Sequence, residues 1–382
     1  MSETFSFAET HSQLSTIKVI GVGGGGNNTI RHLLGGELAS VDLICANTDI
    51  QALEYRDGVV SMPLGRETTK GLGAGANPEV GRLAAIEDRE VIAESLQNTD
   101  LLFITAGMGG GTGTGAAPII AEIARQAGIL TVGIVTMPFA FEGKKRYRIA
   151  EEGLKALKAN LNALLVIPNQ NLMKVMDPAT PIIEAFSKAN DVLRSALEGV
   201  VSLISKPGLI NLDFEDVKRI LKEEGLAMFG QGEGQGEHRA RDAVTRAATC
   251  PLLAQDNLHQ ARGILVNICS GDNFSIGEFT EIGDYIDQLI SDNATVIIGT
   301  SIDPSLKDRL TVTLIATGLA DSFERGQPKK QSRVALDGTD DDDKHAVLRP
   351  RRLKTINGNK DSDILFDYAD MNIPTFLKRQ ND

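Results

Sequence analysis

The clearest chemical signal in the sequence is a glycine-rich stretch, residues 107–115, that is suited to holding phosphate. Between Gly109 and Gly113 the chain carries little or no side chain, so backbone N–H groups can turn towards an anion. An apolar strand pattern, residues 100–106, precedes the stretch, and an apolar helical pattern follows it. In α/β proteins this order presents phosphate groups at the C-terminal ends of strands. A flexible linker would not be bracketed in this way, so the sequence predicts a phosphate-binding loop.

Two further glycine-rich segments lie upstream. Residues 21–28 follow an apolar strand pattern and contain GxGxxG, which alone is weak evidence for a dinucleotide-binding fold, and a helix is expected from about residue 29. Residues 71–75 precede a helix that begins near Pro78. Three such loops exceed what one pyrophosphate needs, whereas a triphosphate with bound Mg²⁺ would use all of them. Asp49 follows the next strand, where it could contact a ribose or a metal-bound phosphate, and both interpretations stay open.

Two carboxylates could support hydrolysis of a triphosphate. Attack of water on a γ-phosphate needs acceptors that orient and polarise the water, and Asp213 and Asp216 are of the right type. Spacing alone does not assign them to the glycine loops, and Asp213 could instead cap the helix that follows. The chain has no GxxxxGK[ST], GxSxG or HExxH motif and only five histidines. These absences argue against a P-loop NTPase and against the hydrolases that use those motifs.

Composition narrows the class of protein and its partners. The chain has 382 residues, a net charge of −12 and a pI near 5.0, which argues against nucleic acid as the main partner because an acidic surface repels phosphate backbones. The three cysteines are scattered, as expected for a reducing compartment, and they predict no structural zinc site. No signal-peptide pattern or apolar run of about 20 residues occurs. We expect a cytoplasmic protein with no direct membrane insertion.

Apolar periodicity predicts an α/β fold. Alternating strand and helix patterns up to about residue 180 indicate a parallel sheet with right-handed crossovers. Residues 181–205 carry apolar side chains at spacings of three and four, which predicts a helix of about 38 Å with one face buried along its whole length. A second series of strand and helix patterns starts near residue 262. The expected fold class is a parallel-sheet nucleotide-binding domain joined by a long central helix to a second, smaller α/β domain.

The expected boundaries are a flexible tail at 1–16, a nucleotide-binding domain at 17–180, a central helix at 181–206, a second domain at 207–320 that includes an acidic loop at 207–216, a disordered linker at 321–363 and a partner-binding peptide at 364–382. The linker is charged and aperiodic, and apolar residues return after it, which is typical of a peptide that orders on a partner. The linker also contains DDDDK at 340–344, which is either a solvated acidic patch or an engineered protease site.

Several motifs together resemble one family, the tubulin/FtsZ family. They are GVGGGG at 21–26, NTD at 47–49, KGLGAGANPEVGR at 70–82, GGGTGTG at 109–115, PFAFEGKKR at 138–146, IPN at 167–169, NLDFEDV at 211–217 and DNATVIIGTS at 292–301. The resemblance implies a tubulin-like GTPase that polymerises head to tail into the ring of bacterial cell division. Residues 370–379 resemble the family's C-terminal peptide, which implies membrane-tethering partners such as FtsA or ZipA and a location at the mid-cell division site.

The resemblance also implies which residues bind GTP or GDP, with Mg²⁺ as the accompanying ion and no protein residue assigned to the metal. Phosphate and nucleoside contacts fall on the glycine loops, at Gly24, Gly25, Gly26, Asn27, Asn28, Ala74, Gly75, Gly111, Thr112 and Gly113. Ribose and base contacts fall on Glu142, Arg146, Phe186, Asn190 and Asp191, with Phe186 stacking on guanine. Asn211, Asp213 and Asp216 match the loop that the family inserts into the next subunit's nucleotide site. Three positions, Asn27, Met137 and Gln170, depart from residues found in relatives.

The long helix gives a separate reason to expect assembly. Phe186 lies near its start and Asp216 comes just after its end, so the helix holds the two about 30 Å apart. A hydrolytic site that uses both must be completed by a second copy, and a head-to-tail contact that does not close propagates as a filament. We therefore expect GTP hydrolysis at the interface between subunits. The alternatives are a monomeric dinucleotide-dependent oxidoreductase and a nucleotide-dependent scaffold that scarcely hydrolyses.

Overall fold

The structure is a computed structural model that describes residues 15–34, 41–53, 56–174, 176–205, 210, 214–222, 225–253, 258–291 and 293–319. Most of the predicted N-terminal tail lies outside these residues, as do the predicted linker and the C-terminal peptide. Asn211 and Asp213 also lie outside them.

A single ten-stranded sheet organises the described residues, with helices on both of its faces. The strands are β1 Ile17–Val22, β2 Val41–Asn47, β3 Val59–Pro63, β4 Leu101–Gly107, β5 Leu130–Met137, β6 Ala163–Pro168, β7 Leu226–Gln235, β8 Gly263–Ser270, β9 Thr295–Ile302 and β10 Arg309–Leu319. The helices are α1 Gly23–Leu33, α2 Arg66–Thr69, α3 Pro78–Glu87, α4 Arg89–Ser95, α5 Thr112–Gln126, α6 Lys144–Lys158, α7 Asn169–Leu172, α8 Ile182–Ser205, α9 Phe214–Leu221, α10 Arg239–Ala248 and α11 Ile276–Asp287.

The strand order is β3-β2-β1-β4-β5-β6-β7-β10-β8-β9. The strands from β3 to β6 are all parallel, as predicted, and β10 runs antiparallel to both β7 and β8. The two halves of the chain are joined by strand pairing as well as by the long helix, because Leu164 of β6 pairs with Leu226 of β7 in parallel register.

The central strands are buried on both faces, which is why they appear in the sequence as continuous apolar runs. On β4, Phe103 packs in a core layer with Leu193 of α8, whereas its neighbour Ile104 packs in the opposite layer with Ala117 of α5. Successive side chains of a strand point to opposite faces of the sheet, so each face acquires its own helices. The sheet therefore sits between two helical layers with its strand ends free.

The long helix α8 has 24 residues, a length of about 36 Å. Its face with Ala189, Leu193 and Val200 is buried against the sheet. The prediction that this face is buried along its whole length is wrong for the first turns, because Ile182 is 62% exposed and Phe186 is 40% exposed. These turns lie beside an open cleft instead of over the core.

Other differences from the sequence prediction arise from glycine. The helix expected from about residue 29 begins at Gly23, so the glycine run forms its first turns. Strand β7 and helix α10 were not predicted. A Cβ on Gly230, Gly232 or Gly234 would overlap backbone atoms of α10, so these glycines let the helix pack directly on the strand while weakening the strand signal in the sequence. Strand β3 was also missed.

No helix in the described part of the chain is both long enough and apolar enough to cross a membrane.

Candidate functional site

A cleft of about 330 Å³ opens at the C-terminal ends of β1, β4 and β5. The chain leaves β1 towards β2 on one side, while β4 lies on the other, so the cleft occupies the point where ligands bind in open α/β sheets. Its lining consists of Val22, Gly24, Gly25, Asn28, Gly107, Met108, Gly110, Gly111, Thr112, Gly113, Thr136, Pro138, Glu142, Arg146, Asn169, Phe186, Ala189 and Asn190.

Two helix N-termini face the cleft. Helix α1 begins at Gly23 and α5 begins at Thr112, and neither has an acidic residue in its first turn. The first N–H groups of a helix have no acceptor within the helix, and the helix dipole adds partial positive charge at this end. The cleft is therefore suited to a ligand with several negative charges, such as a polyphosphate.

The glycines of the loop before α5 serve two different purposes. A Cβ on Gly113 would lie 2.7 Å from the carbonyl oxygen of Gly107, and one on Gly111 would lie 2.8 Å from Cβ of Ala74, so these two glycines allow close packing. A Cβ on Gly110 or Gly24 would meet no heavy atom within 4 Å. Those two glycines keep space in the cleft open.

The third glycine-rich segment supports the cleft from behind. Ala74 is 7% exposed and packs under Gly111, and neither Ala74 nor Gly75 lines the cleft. The hydroxyls of Thr48 and Thr112 lie 2.6 Å apart and tie the end of β2 to the first turn of α5. The carboxylate of Asp49 accepts a hydrogen bond from the backbone N–H of Gln51 at 3.0 Å and does not line the cleft, so neither open role of Asp49 gains support.

Asn27 and Gly26 also lie outside the lining. Asn27 is only 2% exposed. With its amide oriented to satisfy both polar atoms, its nitrogen donates to the carbonyl oxygens of Gly21 at 2.9 Å and Gly23 at 3.2 Å, and its oxygen accepts from Nδ2 of Asn47. Asn27 thus holds the turn in shape, whereas its neighbour Asn28 lines the cleft.

The far end of the cleft carries one ion pair and an aromatic cluster. Oε1 of Glu142 accepts a hydrogen bond from the N–H of Phe139 at 2.8 Å, and Oε2 lies 3.0 Å from Nη1 of Arg146. The ring of Phe186 packs edge-on against Phe139 and Phe141, with centroid separations of 5.3 and 6.3 Å. Because Phe186 is 40% exposed, it leaves aromatic surface available to a planar ligand.

Asn169 lines the cleft, although the sequence patterns predict no role for it. It is 5% exposed, and its Oδ1 is buried with no hydrogen-bond partner among the residues described. An unsatisfied buried acceptor is costly, so its position in a cleft points to a donor on a ligand. The only signal in the sequence was its place in the IPN motif at the end of an apolar strand. Asn190 also lines the cleft. Asp191 does not line it, and the Oδ1 atom of Asp191 lies 3.6 Å from Nδ1 of His32.

Asp216 lies far from the cleft. It is exposed in the first turn of α9, not in a loop as predicted, and α9 packs against β8 and β9. In the sheet, β8 lies six strand spacings from β1 and four from β5, the outer two strands of the cleft, which amounts to about 19–29 Å. The described residues contain no group of three His, Cys, Asp or Glu side chains that could hold a metal ion.

Comparison with known proteins agrees with this geometry. Residues 16–177 match the model of the Tubulin/FtsZ family, GTPase domain, and residues 225–320 match the model of the FtsZ family, C-terminal domain. Cell division protein FtsZ of Coxiella burnetii is 47% identical over 387 residues, which covers 98% of this chain and 99% of that protein. Cell division protein FtsZ of Pseudomonas aeruginosa is 46% identical over 377 residues, covering 99% and 92%.

Among solved structures, the one described as FtsZ dimer, empty, from M. jannaschii is 42% identical and superimposes with a TM-score of 0.76 over 81% of this chain and 89% of that chain. The resemblance, the fold class and the GTPase activity predicted from the sequence are confirmed by these matches. The chain belongs to the FtsZ family, the tubulin-like GTPases of bacterial cell division that polymerise into filaments.

Proposed function

We propose that GTP and Mg²⁺ bind in the cleft and that hydrolysis occurs only where a second copy docks head to tail and brings its Asp216 and Asp213 to the γ-phosphate. One observation carries this proposal. Among the described residues, the only carboxylate in the cleft lining belongs to Glu142, which is engaged by Phe139 and Arg146. Asp216 lies on a helix that packs against strands about 19–29 Å or more across the sheet. The described lining can hold a nucleotide but offers no free carboxylate to orient water.

The lining supports one orientation of the nucleotide. The triphosphate lies at the N-termini of α1 and α5, where Gly24 and Gly110 leave room for it. The base lies at the aromatic end beside Phe186. Guanine carries two neighbouring donors, N1–H and N2–H2, on its pairing edge that match the unsatisfied Oδ1 of Asn169, whereas adenine has only its N6 amino group as a donor there and places an acceptor at N1. This difference supports selection of GTP over ATP.

The residues present fit a magnesium ion that is held mainly by the nucleotide. Mg²⁺ in nucleotide sites keeps several waters and binds phosphate oxygens with few protein ligands, so a cage of carboxylates is not required. Thr112 brings a side-chain oxygen to the phosphate end of the lining. The ion's contribution to the reaction is to neutralise negative charge on the phosphate groups.

The chain's own residues then divide the work between two subunits. One subunit binds the triphosphate through backbone N–H groups and holds the base. The next subunit places Asp216, and Asp213 before it, where they accept hydrogen bonds from the attacking water and orient it. Because the two surfaces lie at different parts of the same molecule, the contact repeats from one subunit to the next and builds a filament.

Light scattering together with phosphate release, measured over a range of protein concentrations, tests this proposal. Phosphate release per molecule should rise above the concentration at which GTP induces scattering, and ATP or NAD should induce neither. Asp216→Asn should still polymerise with GTP but release phosphate at least about 100-fold more slowly. Asp242→Asn, on the exposed face of α10, is the matched control and should behave as the wild type. Constant activity per molecule on dilution below the scattering threshold would contradict shared catalysis, and scattering without phosphate release would favour a scaffold.

The C-terminal peptide, residues 364–382, extends the proposal to location. It lies outside the described residues, and its support is the resemblance of residues 370–379 to the family's partner-binding peptide. It tethers the filament to membrane-associated division proteins such as FtsA or ZipA and so places it at mid-cell. Removal of residues 364–382 should abolish the mid-cell band of a fluorescent fusion while polymerisation in vitro persists, and an unchanged band would contradict the assignment.

A further inference from the structure

The first turn of α6 carries an unusual concentration of positive charge for so acidic a protein. Lys144, Lys145, Arg146 and Arg148 lie within five residues, all exposed, in a chain whose net charge is −12. Arg146 lines the cleft and pairs with Glu142. The other three, which we call the α6 cation patch, form no ion pair with any residue that the structure describes.

The position of the patch works against the stability of its own helix. The N-terminus of a helix carries partial positive charge, so acidic side chains are favoured there and cations are disfavoured. The first turn of α6 contains no acidic residue. This helix of 15 residues thus carries several positive charges at the end where they are least favourable. Their position indicates that these cations have a role other than stabilising the helix.

The helix turn that carries the patch packs on the glycine loop through Arg146. Gly109 has a φ of +92°, and a Cβ there would lie 2.7 Å from the carbonyl oxygen of Arg146 and 2.8 Å from its Cγ. The first turn of α6 is therefore packed on the loop that borders the cleft. Lys144, Lys145 and Arg148 do not line the cleft, but their exposed side chains extend into solvent from a helix whose first turn borders it, within the range of electrostatic attraction at low salt.

We propose that the α6 cation patch captures the nucleotide electrostatically and so sets the rate at which GTP enters the cleft, without holding it once bound. This inference rests on the proposed nucleotide cleft. GTP carries about four negative charges, so each patch cation about 10 Å from its path raises the association rate roughly fourfold at 25 mM salt. The same interaction is almost fully screened at 500 mM salt, where the Debye length falls to about 4 Å.

Stopped-flow binding of a fluorescent GTP derivative to the full chain, below the polymerisation threshold, tests the proposal. Lys144→Gln/Lys145→Gln should lower the association rate about fifteenfold at 25 mM salt and less than about twofold at 500 mM, with an unchanged dissociation rate. Lys155→Gln/Lys222→Gln removes the same net charge at exposed sites away from the cleft and should associate as the wild type. The loss should be smaller for GDP and smallest for GMP, in order of their charge.

The outcomes separate this inference from the proposed function. If the wild type does not bind the GTP derivative, the proposed cleft is wrong. If the wild type binds and both double variants associate at the same rate, the capture role is overturned. A faster dissociation at an unchanged association rate would also overturn it, because the lysines would then be direct ligands. The melting temperature of Lys144→Gln/Lys145→Gln should be unchanged or higher, because the substitutions remove cations from a helix N-terminus. A lower melting temperature together with slower association at all salt concentrations would indicate a purely structural effect and would overturn the capture role.

Discussion

Replacement of Gly110 by alanine tests whether phosphate occupies the space beside this residue, and it does so without disturbing the packing of the loop. A Cβ at this position meets no heavy atom within 4 Å, and its φ lies outside the left-handed region. The free protein should therefore be as stable as the wild type or more stable by about 0.4–1 kcal/mol, because alanine lowers the conformational entropy of the unfolded chain. The methyl group projects into space that we assign to phosphate, so nucleotide affinity should fall at least about tenfold, or about 1.4 kcal/mol.

Thermal unfolding with and without GDP measures both effects. Stabilisation by a ligand grows as RT ln(1 + [L]/Kd), so each tenfold loss of affinity removes about 1.4 kcal/mol of it at saturating ligand. Gly283→Ala in α11 is the matched control, because a Cβ there also meets no atom within 4 Å and the residue does not line the cleft. Equal stabilisation of Gly110→Ala and the wild type by GDP would refute the assignment of phosphate to this loop. A less stable free protein would refute the conclusion that Gly110 is unpacked.

Three further predictions concern single side chains. Asn169→Ala should leave the free protein nearly as stable, since its Oδ1 has no partner among the described residues, but should weaken GTP binding about tenfold and narrow the preference for GTP over ATP, as measured by calorimetry. Arg239→Met should lower the free energy of unfolding by about 3 kcal/mol in denaturant titrations, because it strands the carboxylate of Glu278. The hydrogen bonds from Arg239 hold the pKa of Glu278 below its ordinary value. The resulting stabilisation is therefore present at neutral pH and is lost as the pH falls through the lowered pKa. Glu278→Gln should lack this pH dependence of the free energy of unfolding. Burial raises the pKa of Cys45 to about 11, so iodoacetamide at pH 8 should label it only after unfolding, as mass spectrometry would detect.

The parts of the site that follow from neighbouring residues could be predicted from the sequence. The strands before the first two glycine loops, β1 and β4, were predicted almost to the residue, because both are continuous apolar runs bounded by glycine. Glycines in the first turn of α1 and around the start of α5 line the cleft. In both cases the signal lies within about ten residues of chain, where backbone freedom and apolar periodicity act locally.

The sequence could not separate residues that line the cleft from those that support it. Asn27 and Asn28 are adjacent and identical in type, yet the first is buried under the turn and the second faces the cleft. Asn169 begins α7, which packs against α8, so its place in the cleft depends on a contact between elements distant along the chain. Strand β7 was missed because its glycines are required for the close packing of α10, and they weaken the strand pattern in the sequence.

The sequence alone determined that this chain presents glycine loops at strand ends and a long helix between two sets of predicted functional residues. Both features depend on the spacing of residues that are close together along the chain. The tertiary structure alone decided the distance between those sets across the sheet. That distance depends on strand order, which places β7 and β10 between β6 and β8 and so puts β8, against which α9 packs, about 19–29 Å from the strands of the cleft. Strand order results from non-local pairing and packing, which no stretch of the sequence specifies by itself.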